Sequence, residues 1–297
     1  MAEIKGVITA MVTPFDAAGE LDLDAARRLA RYLVENGSHG LVVAGTTGEA
    51  PTLADEEKLA LLGAVLAEVG EEATVIAGTG TNDTRHSAAL TKRACEAGAH
   101  AVLTVTPYYN KPNPAGLRAH FGELARAAGE TPVILYNIPS RTVINIPPKL
   151  LAQISAENTN VVAVKQANDD ELAPIEGLAV LAGNDGTFLR ALEIGEPGGV
   201  LVASHVVGPQ MRAIYDAVQA GDGERARQID GSLQPVYEAM SVTSNPIPVK
   251  TALELLGVIA SHMRLPMVPA SESEREQIRA ALAALDHDPD QAGRITA

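Results

Sequence analysis

Eight short apolar runs, each followed by a segment with helical apolar spacing, fill roughly the first 220 residues of this 297-residue chain. The runs lie at 7–11, 40–44, 74–77, 101–106, 133–136, 161–165, 179–182 and 199–203. Between them apolar residues recur at i, i+3 and i+4, as in LDAARRLARYLV (23–34) and DEEKLALLGAVLA (55–67). Gly37, Gly70, Gly98, Pro132 and Gly198 punctuate the junctions, and Pro147 with Pro148 suits the first turn of the helix after the fifth run. Eight β/α units in this length predict an α/β chain folded as a (β/α)8 TIM barrel. An open doubly wound sheet usually has fewer strands and a glycine-rich dinucleotide turn after the first. Here the first run leads into TAMVTPF (9–15), with no G-x-G-x-x-G.

After Gly221 and Gly223 the β rhythm stops. Helices are expected over 224–241, 249–257 and 271–285, separated by NPIP (245–248) and RLPMVP (264–269). Ser271 caps the last of them, with Glu272 and Glu274 in its first turn. The expected organisation is a catalytic barrel over 1–223 and a small C-terminal helical domain over 224–297.

Charge narrows the partners. With 23 basic against 37 acidic residues, a net charge of −14, and no basic run, nucleic acid and anionic membranes are poor partners. An anionic substrate must therefore find locally gathered positive charge. One cysteine, Cys95, makes no intrachain disulfide, which fits a reducing cytosol, and it reads as a small helix-packing residue. The N-terminus lacks a basic segment followed by a sustained apolar core, and the most apolar run, 59–67, is too short to span a bilayer. A soluble, cytoplasmic protein is expected.

Barrel chemistry is placed at the C-terminal ends of the strands. On this rim stand GTTGE (45–49), GTGTN (78–82), PYYNKP (107–112), YNIPSR (136–141), Lys165, GND (183–185) and ASH (203–205). Lys165 is the exceptional residue, because it ends an apolar strand where burying a charge is costly. Either a carboxylate pairs with it and it props up the fold, or burial makes it a good amine nucleophile. The rim is short of acids, with Glu49 and Asp185 as the available partners. A desolvated lysine has its pKa lowered, so more neutral amine exists to attack a ketone and form a Schiff base. Loss of a neighbouring proton then gives an enamine, a carbon nucleophile. Such a site needs a proton carrier, for which Tyr136 on the adjacent strand is placed. It also needs anion donors, which Thr46, Thr47 and the backbone of their turn can supply.

Each residue has a bland counterpart. A lone G-x-x-G marks a turn, Tyr136 could be a core tyrosine and Arg141 a solvated loop residue. Gathered on one rim, they favour a site. Metals and cofactors find little support. His39, His86, His100, His120, His205, His262 and His287 show no metal-ligand spacing, and there is no cysteine pair or Walker-type loop. His205, which ends the eighth run, reads as a hydrogen-bonded structural histidine.

Five stretches then carry a resemblance: GTTGE (45–49), TPYYNKP (106–112), YNIPSRT (136–142), VKQA (164–167) and NPIPVK (245–250). Together they resemble the pyruvate-dependent class I lyase/aldolase family, in particular its dihydrodipicolinate synthase branch, and the likeness covers essentially the whole chain. That resemblance implies condensation of pyruvate with L-aspartate 4-semialdehyde, the first committed step of lysine biosynthesis through diaminopimelate. It implies that Lys165 forms the Schiff base and that Tyr136 relays protons in a hydroxyl chain with Thr46 and with Tyr109, the latter reaching in from a neighbouring subunit. By the same resemblance Thr47 holds the pyruvate carboxylate, Arg141 binds the aldehyde's carboxylate, and Gly183 and Val200 line the lysine's pocket. The family needs no metal or organic cofactor and is usually a homotetramer built as a dimer of dimers.

Sister aldolases for N-acetylneuraminate, 2-keto-3-deoxygluconate or 4-hydroxy-2-oxoglutarate are the alternative. The Tyr108–Tyr109 pair and Arg141 favour the synthase, since an arginine fork suits a carboxylated aldehyde. A catalytically idle barrel, used as a binder or scaffold, would tolerate Lys165→Ala. Two residues depart from the family's usual pattern: Leu201 stands where serine is common, and Gln166 where glutamate is usual. At the positions where lysine-inhibited relatives hold their effector, this chain has Asp55, Lys58 and His86, beside Asn82 and Tyr108. A lysine at 58 and the missing glutamate predict weak or absent feedback by L-lysine.

Overall fold

A computed structural model describes residues 4–286. Its eight strands are β1 (Gly6–Ala10), β2 (Gly40–Val43), β3 (Thr74–Gly78), β4 (Ala101–Val105), β5 (Val133–Asn137), β6 (Val161–Gln166), β7 (Ala179–Ala182) and β8 (Gly198–Leu201). All neighbouring pairs are parallel, and β8 returns to β1 to close the barrel, with Val7 opposite Gly199. The TIM barrel expected from the eightfold alternation is thus present.

Helices α1 (Leu23–Glu35), α2 (Asp55–Val69), α3 (Thr84–Glu96) and α4 (Pro114–Ala128) cover the first half of the barrel. A short α5 (Pro139–Thr142) and α6 (Pro148–Glu157) follow β5, then α7 (Phe188–Glu193) and α8 (Gly208–Gln219) follow β7 and β8. The N-termini are set locally: Asp22, Asp83 and Asn113 accept from backbone N–H groups of the first turns of α1, α3 and α4. One crossover departs from the expected pattern. Between β6 and β7 there is no α-helix, only a 3-10 turn at Asp169–Glu171 and a bridge between Ile175 and Leu178. The segment DDELAPIEG (169–177) explains this, because it is acidic, holds a proline and lacks the i, i+3, i+4 apolar stripe. The chain ends in α9 (Gly223–Ala239), α10 (Ile247–Leu255) and α11 (Glu272–Asp286), close to the three expected helices. His287 and the rest of the expected C-terminal segment lie outside the described residues. Among the described residues no helix is long and apolar enough to cross a membrane.

Strand alternation sorts side chains into two layers. Ile8, Val42, Ile76, Leu103, Ile134, Ala163, Leu181 and Val200 fill the barrel interior. Val7, Leu41, Val75, Val102, Val133, Val164 and Val180 face the helices. Interior parity then carries upward, so Tyr136 follows Ile134 and Lys165 follows Ala163, both pointing inward at the C-terminal rim.

Candidate active site

Tyr136 and Lys165 are direct partners in the β5–β6 ladder, so their side chains leave the sheet next to each other. Lys165 is 5% exposed, and its Nζ lies 4.4 Å from the centroid of the Tyr136 ring. Among the described residues no carboxylate comes within ion-pairing distance of it. Both acids that could have paired with it are engaged elsewhere. Glu49 accepts from Lys250 Nζ at 2.5 Å, in a pair buried on both sides. Asp185 Oδ1 accepts from the backbone N–H groups of Val202 (2.8 Å) and Ala203 (3.0 Å), tying down the loop after β8. Desolvation raises the Asp185 pKa, against the two N–H bonds and the field of Lys165, which pull it down.

The threonine turn follows β2 directly. Ala44 and Glu49 bracket it at φ 51° and 55°, in the left-handed region. The Glu49 N–H donates to Thr46 O (3.1 Å) and the Ala50 N–H to Gly45 O (3.2 Å). Gly78 must lack a side chain for the turn to lie here, since a Cβ on it would sit 2.3 Å from Ala44 O. Thr47 is buried, and its Oγ1 accepts from Asn245 Nδ2 at 2.9 Å. Arg141, exposed on α5, donates from Nη2 to Asn245 O at 3.2 Å.

Two cavities open on this rim. One, of about 540 Å³, is lined by Lys165, Thr46, Thr47, Tyr136, Arg141 and Gly183, among others. The second, of about 500 Å³, shares Thr46, Tyr136, Ile138 and Arg141 and runs out to Asp55, Lys58, His86 and Tyr108. Thr46 and Tyr136 therefore stand on both walls, although no hydrogen bond joins them among the described residues. Gly183 is held to β6 by its N–H to Gln166 O at 2.8 Å, and a Cβ there would meet that oxygen at 2.6 Å.

Two expected residues stand apart from these walls. Val200 is fully buried in the same interior cluster as Tyr136 and lines neither cavity. Tyr109 is 88% exposed at φ 73° and reaches nothing in its own site. The departures Leu201 and Gln166 both face away from the interior. Leu201 packs toward the helices, while Gln166 Oε1 accepts from Asn137 Nδ2 (2.9 Å) and the Asn168 N–H (3.0 Å). His205 is structural as expected. Its Nε2 accepts from the Val12 N–H, its Nδ1 lies 2.8 Å from Val202 O, and burial lowers its pKa to about 4. Among the described residues no group of three or more His, Cys, Asp or Glu could hold a metal.

Sequence reasoning left Asn245 and Lys250 without a role and offered Asp185 only as a partner for Lys165. For Lys250 a signal was present: a lysine within the otherwise apolar IPVKTAL (247–253) must find a partner when its helix packs.

The chain matches the dihydrodipicolinate synthetase family over residues 3–285. It is 48% identical to the 4-hydroxy-tetrahydrodipicolinate synthase of Parasynechococcus marenigrum over 286 residues, 94% of each chain. It is also 48% identical to the enzyme of that name from Moorella thermoacetica, over 93% of this chain and 96% of the relative. Among solved structures, a dihydrodipicolinate synthase of Bacillus anthracis superposes with a TM-score of 0.91 at 40% identity, covering 95% of this chain and 99% of that one.

Proposed function

The chain belongs to the dihydrodipicolinate synthetase family, and from that premise we propose that Lys165 is the Schiff-base nucleophile of its reaction. The reaction is the condensation of pyruvate with L-aspartate 4-semialdehyde to 4-hydroxy-tetrahydrodipicolinate. The observation that carries the proposal is the buried Lys165 beside Tyr136, with no carboxylate in ion-pairing distance among the described residues.

The neutral amine of Lys165 adds to the C2 carbonyl of pyruvate, and loss of water gives an iminium. Removal of a C3 proton yields the enamine, which attacks the aldehyde carbon of the second substrate. The substrate's own amine then displaces Lys165 from C2, closing the ring and restoring the free lysine. Tyr136 is the proton carrier for these steps, placed by its register with Lys165. Thr47 and Thr46, with the N–H groups of their turn, take the pyruvate carboxylate. Arg141, at the shared mouth of both cavities, takes the carboxylate of the aldehyde, and this favours the synthase over a sugar-acid aldolase. Gly183 and Val200 bound the lysine's surroundings, one by its backbone on the wall and one from the interior cluster that holds Tyr136.

The exposed Tyr109 supports a working form in which it enters the site of a second copy, and the homotetramer and cytoplasmic location follow from the family resemblance alone. The same reading divides the chain into the barrel, 1–223, and a C-terminal helical domain, 224–297.

The test is turnover of pyruvate with L-aspartate semialdehyde, followed through a reductase that accepts the cyclic product. Lys165→Ala should lose at least about a thousandfold in kcat. Borohydride with pyruvate should trap the parent at Lys165 and leave the variant unmodified. Trapping without turnover would move the assignment to a sister aldolase, and undiminished turnover in Lys165→Ala would refute the nucleophile.

A further inference from the structure

The buried Lys250–Glu49 pair lines neither cavity, yet Glu49 closes the threonine turn. An ion pair this deeply buried adds little stability over apolar residues of the same size, so its presence calls for another explanation. Glu49 lies in the left-handed region, and its carboxylate is gripped twice: Oε1 by Lys250 Nζ and Oε2 by the Arg264 N–H at 3.2 Å. Lys250 is itself fixed, donating to His262 O at 2.7 Å and standing 4.5 Å above the Phe15 ring. The helix that carries it, α10, starts two residues after Asn245, which bonds Thr47 through its side chain and Arg141 through its carbonyl. One short segment, 245–250, therefore holds the turn at Thr47 and at Glu49. Because Thr47 Oγ1 accepts from Asn245, its own proton is free to be donated outward.

We propose that Lys250, acting through Glu49, is a positioning residue for recognition of the keto acid's carboxylate: α10 sets the backbone of 45–49 so that its hydroxyl and N–H donors converge on that anion. The proposal rests on the assignment of Thr46 and Thr47 to the carboxylate made above.

Lys250→Met removes the cation and leaves Glu49 buried alone. The double variant Lys250→Met/Glu49→Gln removes both charges and is expected to recover most of the thermal stability that the single variant loses. In both, the pyruvate concentration for half-maximal borohydride trapping at Lys165 should rise about tenfold or more. Trapping of acetone, a ketone with no carboxylate, and the KM for the aldehyde should stay within about twofold of the parent. Glu49→Asp keeps both charges but shortens the link, and should shift pyruvate in the same direction in a chain that folds.

A double variant that saturates with pyruvate like the parent would overturn the proposal, as would equal losses for pyruvate and acetone. The parent separates this from the earlier reading. If the parent itself traps no pyruvate, the nucleophile assignment falls as well; if it traps normally, only the role of Lys250 is at stake.

Discussion

Two buried lysines, Lys165 at the end of β6 and Lys250 on α10, sit in opposite surroundings. Lys250 has a carboxylate at 2.5 Å and a carbonyl at 2.7 Å, while Lys165 has an aromatic face and, among the described residues, no acid within ion-pairing distance. Removing one partner of a buried ion pair costs about 3–5 kcal/mol, because the other charge is left uncompensated. Removing a buried amine that has no ionic partner leaves nothing stranded, and the contact with Tyr136 is worth only about 0.5–2 kcal/mol. Lys165→Met is therefore expected to unfold within about 1 kcal/mol of the parent while abolishing turnover, and Lys250→Met to unfold well below it. Urea titration of both variants checks this. A large loss in Lys165→Met would mean that Lys165 is a structural residue after all. The first lysine was legible in the sequence because it interrupts a β-branched run at a strand end. The second carried a signal as a lysine in an apolar run, but its partner was not legible, because it lies 201 positions away.

At the scale of elements, α2 and α3 meet through side chains that also line the second cavity. Asp55 opens α2 and is approached by Lys58, 3.6 Å away, and by His86 of α3, 2.8 Å away. The one carboxylate here already has two basic neighbours, and Lys58 is nearly buried beside it. An incoming ammonium group would meet a cation and an acid already engaged. L-lysine is therefore expected to leave turnover above half its uninhibited rate at all sub-millimolar concentrations, and half-inhibition below one millimolar would refute this. The elements themselves were readable because short apolar runs alternate with segments of period 3.6 in this chain. The exception between β6 and β7 arose from expecting a helix wherever a crossover was needed. A parallel crossover requires chain length and a covered sheet face, and an irregular segment can provide both.

Over the whole molecule, burial of uncharged imidazoles shapes the pH dependence of stability. His205 and His120 are both lowered by desolvation to about 4, and His120 Nε2 has no hydrogen-bond partner among the described residues. Their unfolded values lie near 6.5, so between 6.5 and 4 the unfolded chain binds protons that the folded one does not. Stability is thus full above about pH 6.5 and falls as the pH drops toward 4, by roughly 3 kcal/mol for each histidine. Asp185, Asp230 and Glu196, raised by burial, contribute with the opposite sign and soften the slope. Urea midpoints measured from pH 7 to pH 4 should decline, and His205→Asn should flatten the decline. A flat profile in the parent would show that these imidazoles are not held neutral.

By itself the sequence determined the barrel, through eight apolar runs separated, with the one exception between β6 and β7, by segments of helical spacing, and it determined which residues stand at the rim, because strand ends are set locally. Lys165 and Tyr136 were singled out as the ends of two runs, and the threonine pair as the turn after another, by the rule that barrel sites lie at the ends of the strands. Only the tertiary structure decided which acid pairs with which base. It gave Glu49 to Lys250 and Asp185 to the backbone of the loop after β8, leaving Lys165 free of both. It also decided that Asn245 reaches Thr47 from 198 positions away, and that Tyr109 points out of its own site. The physical reason is the same in each case. Periodicity acts over a few residues, whereas the pairing of buried charges depends on distances that exist only once the barrel has closed and the C-terminal helices have packed onto it.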